Sequence, residues 1–599
     1  MDSKKVRIGC ASGFWGDTST AAKQLVEKAS LDYLVFDFLS EVTMSILARS
    51  KLKNSKMGYA IDFVDQVKPL LKNIKNQKIR IITNAGGINP HSCEQALKHE
   101  AKKLGLKLNI AIIEGDNILS ELPNLQKQKI KEMEKNLLLP DSCISINAYL
   151  GASGIVKALD EGADIVITGR VVDSALVLGP LMHEYHWKIS DYDLLSAGSL
   201  AGHIIECGAQ CTGGNYTDWK KVKGFENMGF PFVDVFSNGN FIVSKPKGTG
   251  GMVTFGTVAE QLLYEIGNPS EYILPDVICD FSRVKIEETG PDLVSVKGAK
   301  GFPPTKYYKN SATYMDGYRA IGTLVIGGKD AFKKGEVIAN AVIKKCSSIF
   351  NENKIGNFTN SSFDIIGSNS IYGPEKNDVN TKEIVLRIVA SHPIKQALII
   401  FSKELAQAVT GMAAGVINYL GGRPRVSPSI HLFSFLLPKN QIKIKMIMNK
   451  KVVSIPYHIP EESKREQESF SSKTKKVLSK KDYLLPLINL AYARSGDKGD
   501  HANIGIIARE KDYFNFIDNE LNPSTISQFF SHVVQGDVLK WVLPGVNGLN
   551  FLLKNSLGGG GMASFNIDPQ GKSYAQQILE YPIPVTKKIF DQFQNENKE

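Results

Sequence analysis

The first 180 residues alternate short apolar runs with segments of helical pattern, and this alternation constrains the fold more than any other feature. The runs cover residues 6–11, 33–38, 79–83, 108–114, 143–148 and 163–168. Each is continuous and rich in β-branched or aromatic residues, which is typical of strands buried on both faces of a parallel sheet. We therefore predict an α/β fold with a mostly parallel, doubly wound N-terminal sheet. A closed barrel would need further clean repeats, and the pattern becomes irregular after Gly179.

A chain of 599 residues is too long for one apolar core, so we expect about two to four domains. We predict an α/β domain over 1–290. An α+β ferredoxin-like domain follows over 291–458, because strands and helices there take the order β-α-β-β-α-β, with a long helix over 394–419 and a strand region over 429–448. Residues 459–482 are dense in charged and polar types and predict a linker. A last compact domain is predicted over 483–586, before a polar tail over 587–599 that frays.

The charge and cysteine content narrow the class of protein. The net charge of +11 favours an acidic or phosphate-bearing ligand, but the lysines are scattered and no nucleic-acid-binding motif occurs, so we expect no nucleic-acid partner. The seven cysteines are dispersed and contain no C-x-x-C pair, which indicates free thiols in a reducing compartment. No apolar signal region and no run of about 18 apolar residues occurs. We predict a soluble cytoplasmic protein with no membrane partner.

Polar residues follow every predicted strand of the first sheet, at the edge where open parallel sheets bind ligands. Taken one by one, many of them are ordinary helix caps and turn residues. Arg170, Glu41 and Glu114 are not, so the set as a whole indicates a site. Clustered carboxylates raise one another's pKa and can act as general acid and base, and an arginine can hold a carboxylate or thioester oxygen. The candidate catalytic residues are Asp37, Glu41, Glu114, Asp116, Arg170 and Asp173.

Glycine-rich loops after the first and third strands predict substrate or phosphate binding. A loop that opens a helix offers free backbone N–H groups and the positive end of the helix dipole to an anion. The candidate residues in these loops are Ser12, Gly13, Gly16, Asp17, Asn84, Gly86 and Gly87. Neither a G-x-G-x-x-G fingerprint nor a P-loop is present, so nicotinamide and ATP chemistry lack support.

A predicted hairpin over 494–506 carries more polar chemistry than a turn requires. Its candidate binding residues are Arg494, Ser495, Asp497, Lys498, Asp500, His501 and Asn503. Either they form part of a site on a loop between rigid strands, or they decorate a surface hairpin. Our hypothesis is conditional: they act in function only if they meet Asp37, Glu41, Glu114 and Arg170 in space.

Two further clusters can each be interpreted in more than one way. His203, Glu206, Cys207 and Cys211 share one face if their segment is helical, and they could serve in packing, substrate contact or metal binding. The four glycines at 558–561 fit either a flexible tip or a backbone that passes close to another group.

Several blocks resemble the acyclic terpene utilization protein A (AtuA) family. They are residues 11–18 (ASGFWGDT), 31–45, 83–87 (TNAGG) and 167–173 (ITGRVVD), and residues 494–505 look like the signature of that family's small C-terminal ferredoxin-fold domain. The resemblance covers nearly the whole chain. It implies a role in acyl-CoA catabolism, since members are associated with bacterial breakdown of citronellol and geraniol through acyl-CoA intermediates. It supplies no catalytic residue to transfer.

Three functions stay open. The first is a lyase or hydratase that uses carboxylate acid/base groups on an acyl-CoA or carboxylate substrate. The second is a non-catalytic subunit or binding module that assembles with an acyl-CoA enzyme. The third is a metal-dependent lyase or hydrolase that uses His203, Cys207 and aspartates. We assign no metal ligand and expect no cofactor beyond a CoA moiety carried by the substrate, and exposed edges of ferredoxin-like sheets make a homo-oligomer plausible.

Overall fold

The computed structural model describes residues 4–418, 420–457, 483–561 and 563–596. The predicted linker over 459–482 therefore lies outside the described residues. Within the described ranges, no helix is both long enough and apolar enough to cross a membrane.

The first part of the chain alternates strands and helices. Its strands are β1 (Lys5–Cys10), β2 (Tyr33–Phe36), β3 (Arg80–Thr83), β4 (Ile110–Glu114), β5 (Ser145–Ala148) and β6 (Ile165–Thr168). Its helices are α1 (Ala21–Lys28), α2 (Glu41–Lys53), α3 (Ile61–Val67), α4 (Leu71–Gln77), α5 (Pro90–Lys103), α6 (Leu122–Lys127), α7 (Ser153–Asp160), α8 (Ala175–Tyr185) and α9 (Tyr192–Ile205). Residues of α1 to α5 share one apolar core and residues of α7 to α9 share another, so helices cover both faces of the sheet.

The next segment is mainly antiparallel. It contains β7 (Phe232–Phe236), β8 (Phe241–Ser244), α10 (Phe255–Leu262), β9 (Tyr272–Ile273), β10 (Ile278–Asp280), β11 (Lys285–Gly290), β12 (Leu293–Lys297) and β13 (Lys300–Phe302). Strands β13, β10 and β9 form a small sheet of their own.

The second part is built around one long strand. Its elements are β14 (Tyr307–Gly327), α11 (Ala331–Glu352), β15 (Asn360–Ile366), β16 (Glu383–His392), α12 (Lys395–Ala406), α13 (Ala408–Gly411), β17 (Val416–Asn418), β18 (Ser427–Pro438), β19 (Lys445–Met448) and β20 (Lys451–Ser454). The sheet order β15-β16-β14, with β17 and β18 on the other side of β14, gives the β-α-β-β-α-β arrangement. The helix predicted over 394–419 ends at Gly411, and the strand region predicted over 429–448 divides into β18 and β19, which belong to different sheets.

The first sheet is mixed, so the prediction of a mostly parallel, doubly wound sheet needs correction. Its eleven strands run in the order β11-β12-β8-β7-β1-β2-β3-β6-β4-β19-β20, and only the five from β1 to β4 in that order are mutually parallel. Antiparallel pairs extend it on both sides, through β7 on β1 and β19 on β4. The predicted fifth strand leaves this sheet, because β5 pairs with β14. A buried apolar run reveals a strand, but it does not reveal which strand lies beside it or in which direction.

The C-terminal part contains β21 (Tyr483–Pro486), β22 (Ala491–Lys498), β23 (His501–Ala508), α14 (Phe514–Glu520), α15 (Pro523–Phe529), β24 (Val538–Leu543), β25 (Gly548–Leu553), α16 (Tyr574–Ile578), β26 (Pro582–Val585) and α17 (Lys587–Glu596). Its main sheet is antiparallel, in the order β22-β23-β25-β24. The predicted fraying tail is instead α17 up to Glu596, since Ile589, Phe590 and Phe593 pack against this part's apolar core.

Candidate functional site

A cavity of about 360 Å³ opens where the three parts of the chain meet, and we call it the junction cavity. The loop after β6, the start of α2, the C-terminal end of α9, strand β14 and the turn after β22 all contribute to its wall. A volume of this size suits a small-molecule site. Its charged and aromatic lining residues are Glu41, Tyr149, Arg170, Asp173, His203, Glu206, Glu265, Tyr272, Tyr307, Lys309, Asp497 and Lys498.

Arg170 is the central cation of the junction cavity. Its side chain is only 6% exposed, and Nη1 donates to Asp173 Oδ1 at 2.6 Å and to the Leu39 carbonyl at 3.0 Å. The guanidinium carbon lies 4.3 Å from the centre of the Tyr149 ring. Burial alone would lower the pKa of Arg170, but Asp173, Tyr149 and Glu41 outweigh it and raise that pKa. Arg170 is therefore a permanent positive charge in a poorly hydrated wall.

Buried carboxyls with raised pKa values surround this cation. Asp37 is 6% exposed and accepts a hydrogen bond from Asn84 Nδ2 at 2.6 Å. Burial raises the pKa of Asp37 well above its usual range, and the nearby Asp173 raises it further against the opposing effect of Arg170. Burial likewise raises the pKa of Asp173 despite its pairing with Arg170. Asp37 lies behind the cavity wall, whereas Asp173 lines the cavity.

Glu41 behaves in the opposite way. Ser40 caps α2 by accepting from the Thr43 backbone N–H, which places Glu41 in the first helical turn. Burial would raise the pKa of Glu41, but Lys309, Arg170 and a short hydrogen bond from the Tyr149 hydroxyl lower it to about 2. The Lys309 ammonium lies 3.7 Å from Glu41 Oε1. Glu41 is thus a fixed anion that orients Tyr149 and Lys309.

His203 and Glu206 form a buried pair at the end of α9. The Nδ1 atom of His203 lies 3.0 Å from Glu206 Oε1. Burial, together with the charge of Lys498, lowers the pKa of His203 to about 4, and burial raises that of Glu206 well above its usual range. These opposite shifts favour a neutral ring and a neutral carboxyl, an arrangement in which the Glu206 O–H donates to Nδ1 and the ring proton stands on Nε2. That Nε2 atom is buried and makes no hydrogen bond of good geometry with the described residues, but the backbone carbonyls of Leu262 and Gln261 lie near enough to the ring to raise the pKa of His203 against the effect of burial.

The metal-binding interpretation of this cluster gains no support from the geometry. The described residues contain no group of three or more His, Cys, Asp and Glu placed to hold a metal ion. Cys211 is fully buried, and its thiol donates to the Gly208 carbonyl. The backbone of Cys207 packs against Gly13, where a Cβ would lie 2.7 Å from the Cys207 carbonyl carbon.

Part of the C-terminal hairpin reaches the junction cavity. Asp497, Lys498 and Gly499 line it together with Glu41 and Arg170, which are two of the four residues that the conditional hypothesis names. Burial and the charge of Glu265 raise the pKa of Asp497 to about 7, although Lys572 opposes the change. Lys498 is exposed, and its Nζ lies 5.0 Å from the centre of the Tyr272 ring.

The rest of the hairpin holds the C-terminal part in place. The Arg494 guanidinium pairs with Glu260 at 3.0 Å and also donates to Gln210 and to the Gly214 carbonyl. Asn503 accepts from the Glu265 backbone N–H at 2.9 Å and donates to the Leu263 carbonyl at 2.6 Å. These two side chains therefore dock the C-terminal part onto the end of α10 and are not free to bind a ligand.

Ser495, Asp500 and His501 also have partners within the protein. Ser495 donates to the Gly571 carbonyl at 2.6 Å and accepts from the Ala575 N–H. Asp500 pairs with Lys135 at 3.1 Å and accepts from the Gly559 N–H at 2.6 Å. His501 accepts at Nδ1 from the Asn555 N–H, so its Nε2 donates to Glu134 at 3.0 Å. None of the three lines the junction cavity.

The strand-end residues divide in the same way. Glu114 pairs with His91 at 2.8 Å and does not line the junction cavity. Asp116 accepts from Asn147 Nδ2 at 2.9 Å and from the Arg170 backbone N–H at 2.8 Å. Asp116 therefore fixes the loop that carries Arg170, and it acts as a positioning residue outside the cavity.

The glycine-rich loops are not open anion cradles. The carboxylate of Asp17 accepts from the backbone N–H groups of Gly13 at 3.0 Å and Thr18 at 2.7 Å, so these donors already have an anionic partner. Ser12 donates to the Phe14 carbonyl, and Gly16 has a φ of +103°. In the third-strand loop, a Cβ at Gly86 would lie 2.5 Å from the Thr168 carbonyl oxygen, and one at Gly87 would lie 2.4 Å from Leu47. These glycines serve close packing between loops.

Three cavity residues carry no signal in the sequence. Tyr149 and Lys309 meet because β5 pairs with β14, and strand pairing cannot be inferred from either run alone. Glu265 has a φ of +57° and follows α10, in a turn that the C-terminal part clamps. His203 and Glu206 could be found by their helical spacing, but their burial could not.

The glycines at 558–561 support the turn that carries Lys498, and one of them offers a test. All four have positive φ, and a Cβ at Gly560 would lie 2.2 Å from the Gly499 carbonyl oxygen. At Gly559 the nearest atom to such a Cβ is 3.6 Å away. We expect the free energy of unfolding of Gly560→Ala to be about 1–3 kcal/mol lower than that of Gly559→Ala. Both variants carry the strain of positive φ, but only Gly560→Ala adds a clash with the backbone. Equal urea stabilities for the two variants would contradict this packing.

Two family models match the chain. One, described as acyclic terpene utilisation family protein AtuA, covers residues 6–448, and the other, an AtuA ferredoxin-like domain, covers residues 485–584. No curated protein and no solved structure matches the chain. The first matched region contains the cavity residues from Glu41 to Leu436, and the second contains those at 497–499.

Proposed function

The chain belongs to the acyclic terpene utilisation AtuA family, and from this premise we propose that it is a lyase or hydratase that acts on an acyl thioester or carboxylate in the junction cavity. The observation that carries the proposal is the buried His203–Glu206 pair, which stands in the wall of the junction cavity. Burial of an ionisable pair is costly, so its position at a cavity favours a role in binding or chemistry.

Substrate binding is assigned to the cations of the wall. Arg170, Lys309 and Lys498 line one cavity, and such a group of cations attracts a carboxylate or a polarised thioester oxygen. Glu41 holds Lys309 and Tyr149 in place rather than exchanging protons, because its pKa is lowered to about 2. A CoA group, if the substrate carries one, would extend beyond a cavity of about 360 Å³.

Proton transfer is assigned to His203, Glu206 and Asp497. The Nε2–H of His203 can donate to a carbonyl or departing hydroxyl oxygen, and the Glu206 carboxyl restores the proton through Nδ1. Asp497 has a pKa of about 7. It is therefore suited to exchange a proton near neutral pH with the substrate carbon next to the carbonyl group. Hydration, dehydration and carbon–carbon cleavage all need an acid and a base so placed.

The first test is turnover with a panel of acyl-CoA esters of short, branched and dicarboxylic acids and the corresponding free acids. We expect His203→Gln to lower kcat/KM about 10²-fold, because glutamine cannot relay a proton. The matched control is His183→Gln, which lies on α8 outside the cavity and pairs with Asp160. Absence of both binding and turnover across the panel for the unmodified protein would overturn the proposal.

A further inference from the structure

Lys498 differs from the other cations of the junction cavity. Arg170 pairs with Asp173, and Lys309 lies within 3.7 Å of Glu41. Lys498 is the last residue of β22, and in the described part of the chain its ammonium has a ring contact with Tyr272 but no hydrogen bond or ion pair. An amine so placed is presented to the cavity without being committed to structure.

The surroundings of Lys498 favour its neutral form. Burial among protein groups lowers the pKa of this lysine, and the positive charge of Lys309 lowers it further, while Glu265 and Glu206 act in the opposite direction without cancelling the effect. A second cation close to a lysine is a recognised way of activating its amine as a nucleophile.

Proton donors and anion-binding groups share this space. The Tyr272 ring lies 5.9 Å from the His203 ring and 5.0 Å from Lys498 Nζ, so the acid and the amine flank one aromatic wall. Arg170 and Lys309 line the same cavity and can hold a carboxylate. A ligand with both a carboxylate and a carbonyl group matches this arrangement.

We propose that Lys498 is a nucleophile that forms an imine with the carbonyl carbon of an oxo acid bound in the junction cavity. This rests on the proposed function in taking the junction cavity as the reaction site, and it names the substrate class as an acid that also carries a ketone or aldehyde. The imine nitrogen, once protonated, would then accept the electron pair released when a neighbouring carbon–carbon bond breaks. An enamine forms, and the other fragment leaves as carbon dioxide or a carbonyl compound, which is the cleavage chemistry of a lyase.

The step balances without an oxidant or reductant. The Nζ lone pair forms the C–N bond while the carbonyl π pair moves to oxygen, and His203 Nε2–H protonates that oxygen to give a carbinolamine. The hydroxyl then leaves as water, and the C=N bond forms. One hydrogen of the amine returns to the His203–Glu206 pair in place of the proton lent to the oxygen, and the other leaves with the hydroxyl group as water.

Borohydride trapping tests the proposal on the full chain. The protein is incubated with pyruvate, acetoacetate or glyoxylate, sodium borohydride is added, and the intact mass and peptide masses are measured from pH 6 to pH 9. We expect one adduct per chain, equal in mass to the probe less one oxygen atom and located at Lys498. Lys498→Met should abolish it, and because the ammonium makes no hydrogen bond or ion pair with described residues, the thermal midpoint of that variant should stay unchanged.

A second variant separates an activated lysine from an ordinary one. Lys309→Met removes a nearby positive charge, so labelling of Lys498 should persist but require higher pH, with a several-fold lower rate near pH 7. Absence of an adduct with every probe would overturn the imine, as would an adduct spread over surface lysines and retained in Lys498→Met. Trapping at Lys498 without turnover of acyl-CoA esters would support the imine and contradict the thioester part of the proposed function, whereas turnover without trapping would do the reverse.

Discussion

Replacing Arg170 with methionine is expected to lower turnover about 10³-fold, since removal of a single preorganised positive or hydrogen-bonding group from a water-poor site has effects of that size. The side chain is 6% exposed and contacts Asp173, the Leu39 carbonyl and the Tyr149 ring. Methionine fills similar volume, so the loss should come from charge and geometry. A steady-state assay with the best substrate of the panel measures it, and a change below tenfold would place the anion-binding group elsewhere.

The same variant should lose stability mainly at high pH. In the folded protein the pKa values of Asp37 and Asp173 are already raised, so the folded state binds more protons than the unfolded state and stability falls as pH rises above about 4. Without Arg170 those pKa values rise further, and the window of falling stability widens. Breaking a buried pair costs about 3–5 kcal/mol, and at pH 8 we expect a loss of that size. The loss should be clearly smaller at pH 5, because protonation of the carboxyls removes the unpaired charge.

Urea unfolding of the Arg170→Met variant at the two pH values measures this difference. Lys297→Met is the control, because its pair with Glu287 is 41% and 54% exposed and should contribute less than about 1 kcal/mol at either pH. An equal loss for Arg170→Met at pH 5 and pH 8 would mean that the carboxyls keep their charge.

Replacing Arg494 with methionine should also cost about 3–5 kcal/mol, because it leaves the Glu260 carboxylate buried without its cation. The side chains of Arg494 and Glu260 are 6% and 0% exposed. Adding Glu260→Gln removes the unpaired charge, so the double variant should regain most of the loss. A double variant as unstable as Arg494→Met would show that the guanidinium bonds to Gln210 and Gly214 matter more than the ion pair.

Catalytic activity should depend on this contact between Arg494 and Glu260. Because β22 carries Arg494 and also delivers Asp497 and Lys498 to the cavity, loosening the C-terminal part withdraws both groups. We expect the Arg494→Met variant to lose activity at temperatures at which its N-terminal core is still folded. Circular dichroism and activity followed over the same temperature range measure the two events separately.

The limits of sequence reasoning are clear in particular strands. Continuous apolar runs revealed β1 to β6, because burial on both faces leaves no polar position. They could not reveal that β5 pairs with β14 instead of joining this sheet, or that β7 and β19 extend the parallel strands on either side. The partners of these strands lie far apart in the chain. The split α+β arrangement around β14 was accessible because its elements follow one another directly.

The site shows the same division. The positions of Glu41, Arg170 and Asp173 after strands predict a site, and so does the excess of polar residues in the hairpin that contains Asp497 and Lys498. These five residues line one cavity. Glu114, Arg494 and Asn503 were named on the same grounds, but each has a partner elsewhere in the protein. Residue type and position at a strand end do not distinguish a group that faces a cavity from one that docks a domain.

The antiparallel closure of β4 by β19 has a consequence for the chain as it leaves the ribosome. The edge of β4, with four consecutive buried residues from Ile110 to Ile113, stays unpaired until about 330 further residues have been added. At about 5–20 residues per second, that interval lasts roughly 20 to 60 s. Throughout it the nascent N-terminal part presents an apolar strand edge, which is the kind of surface that pairs with other chains. A truncated protein that ends before Lys445 would keep that edge open, so such fragments should depend on chaperones and tend to aggregate.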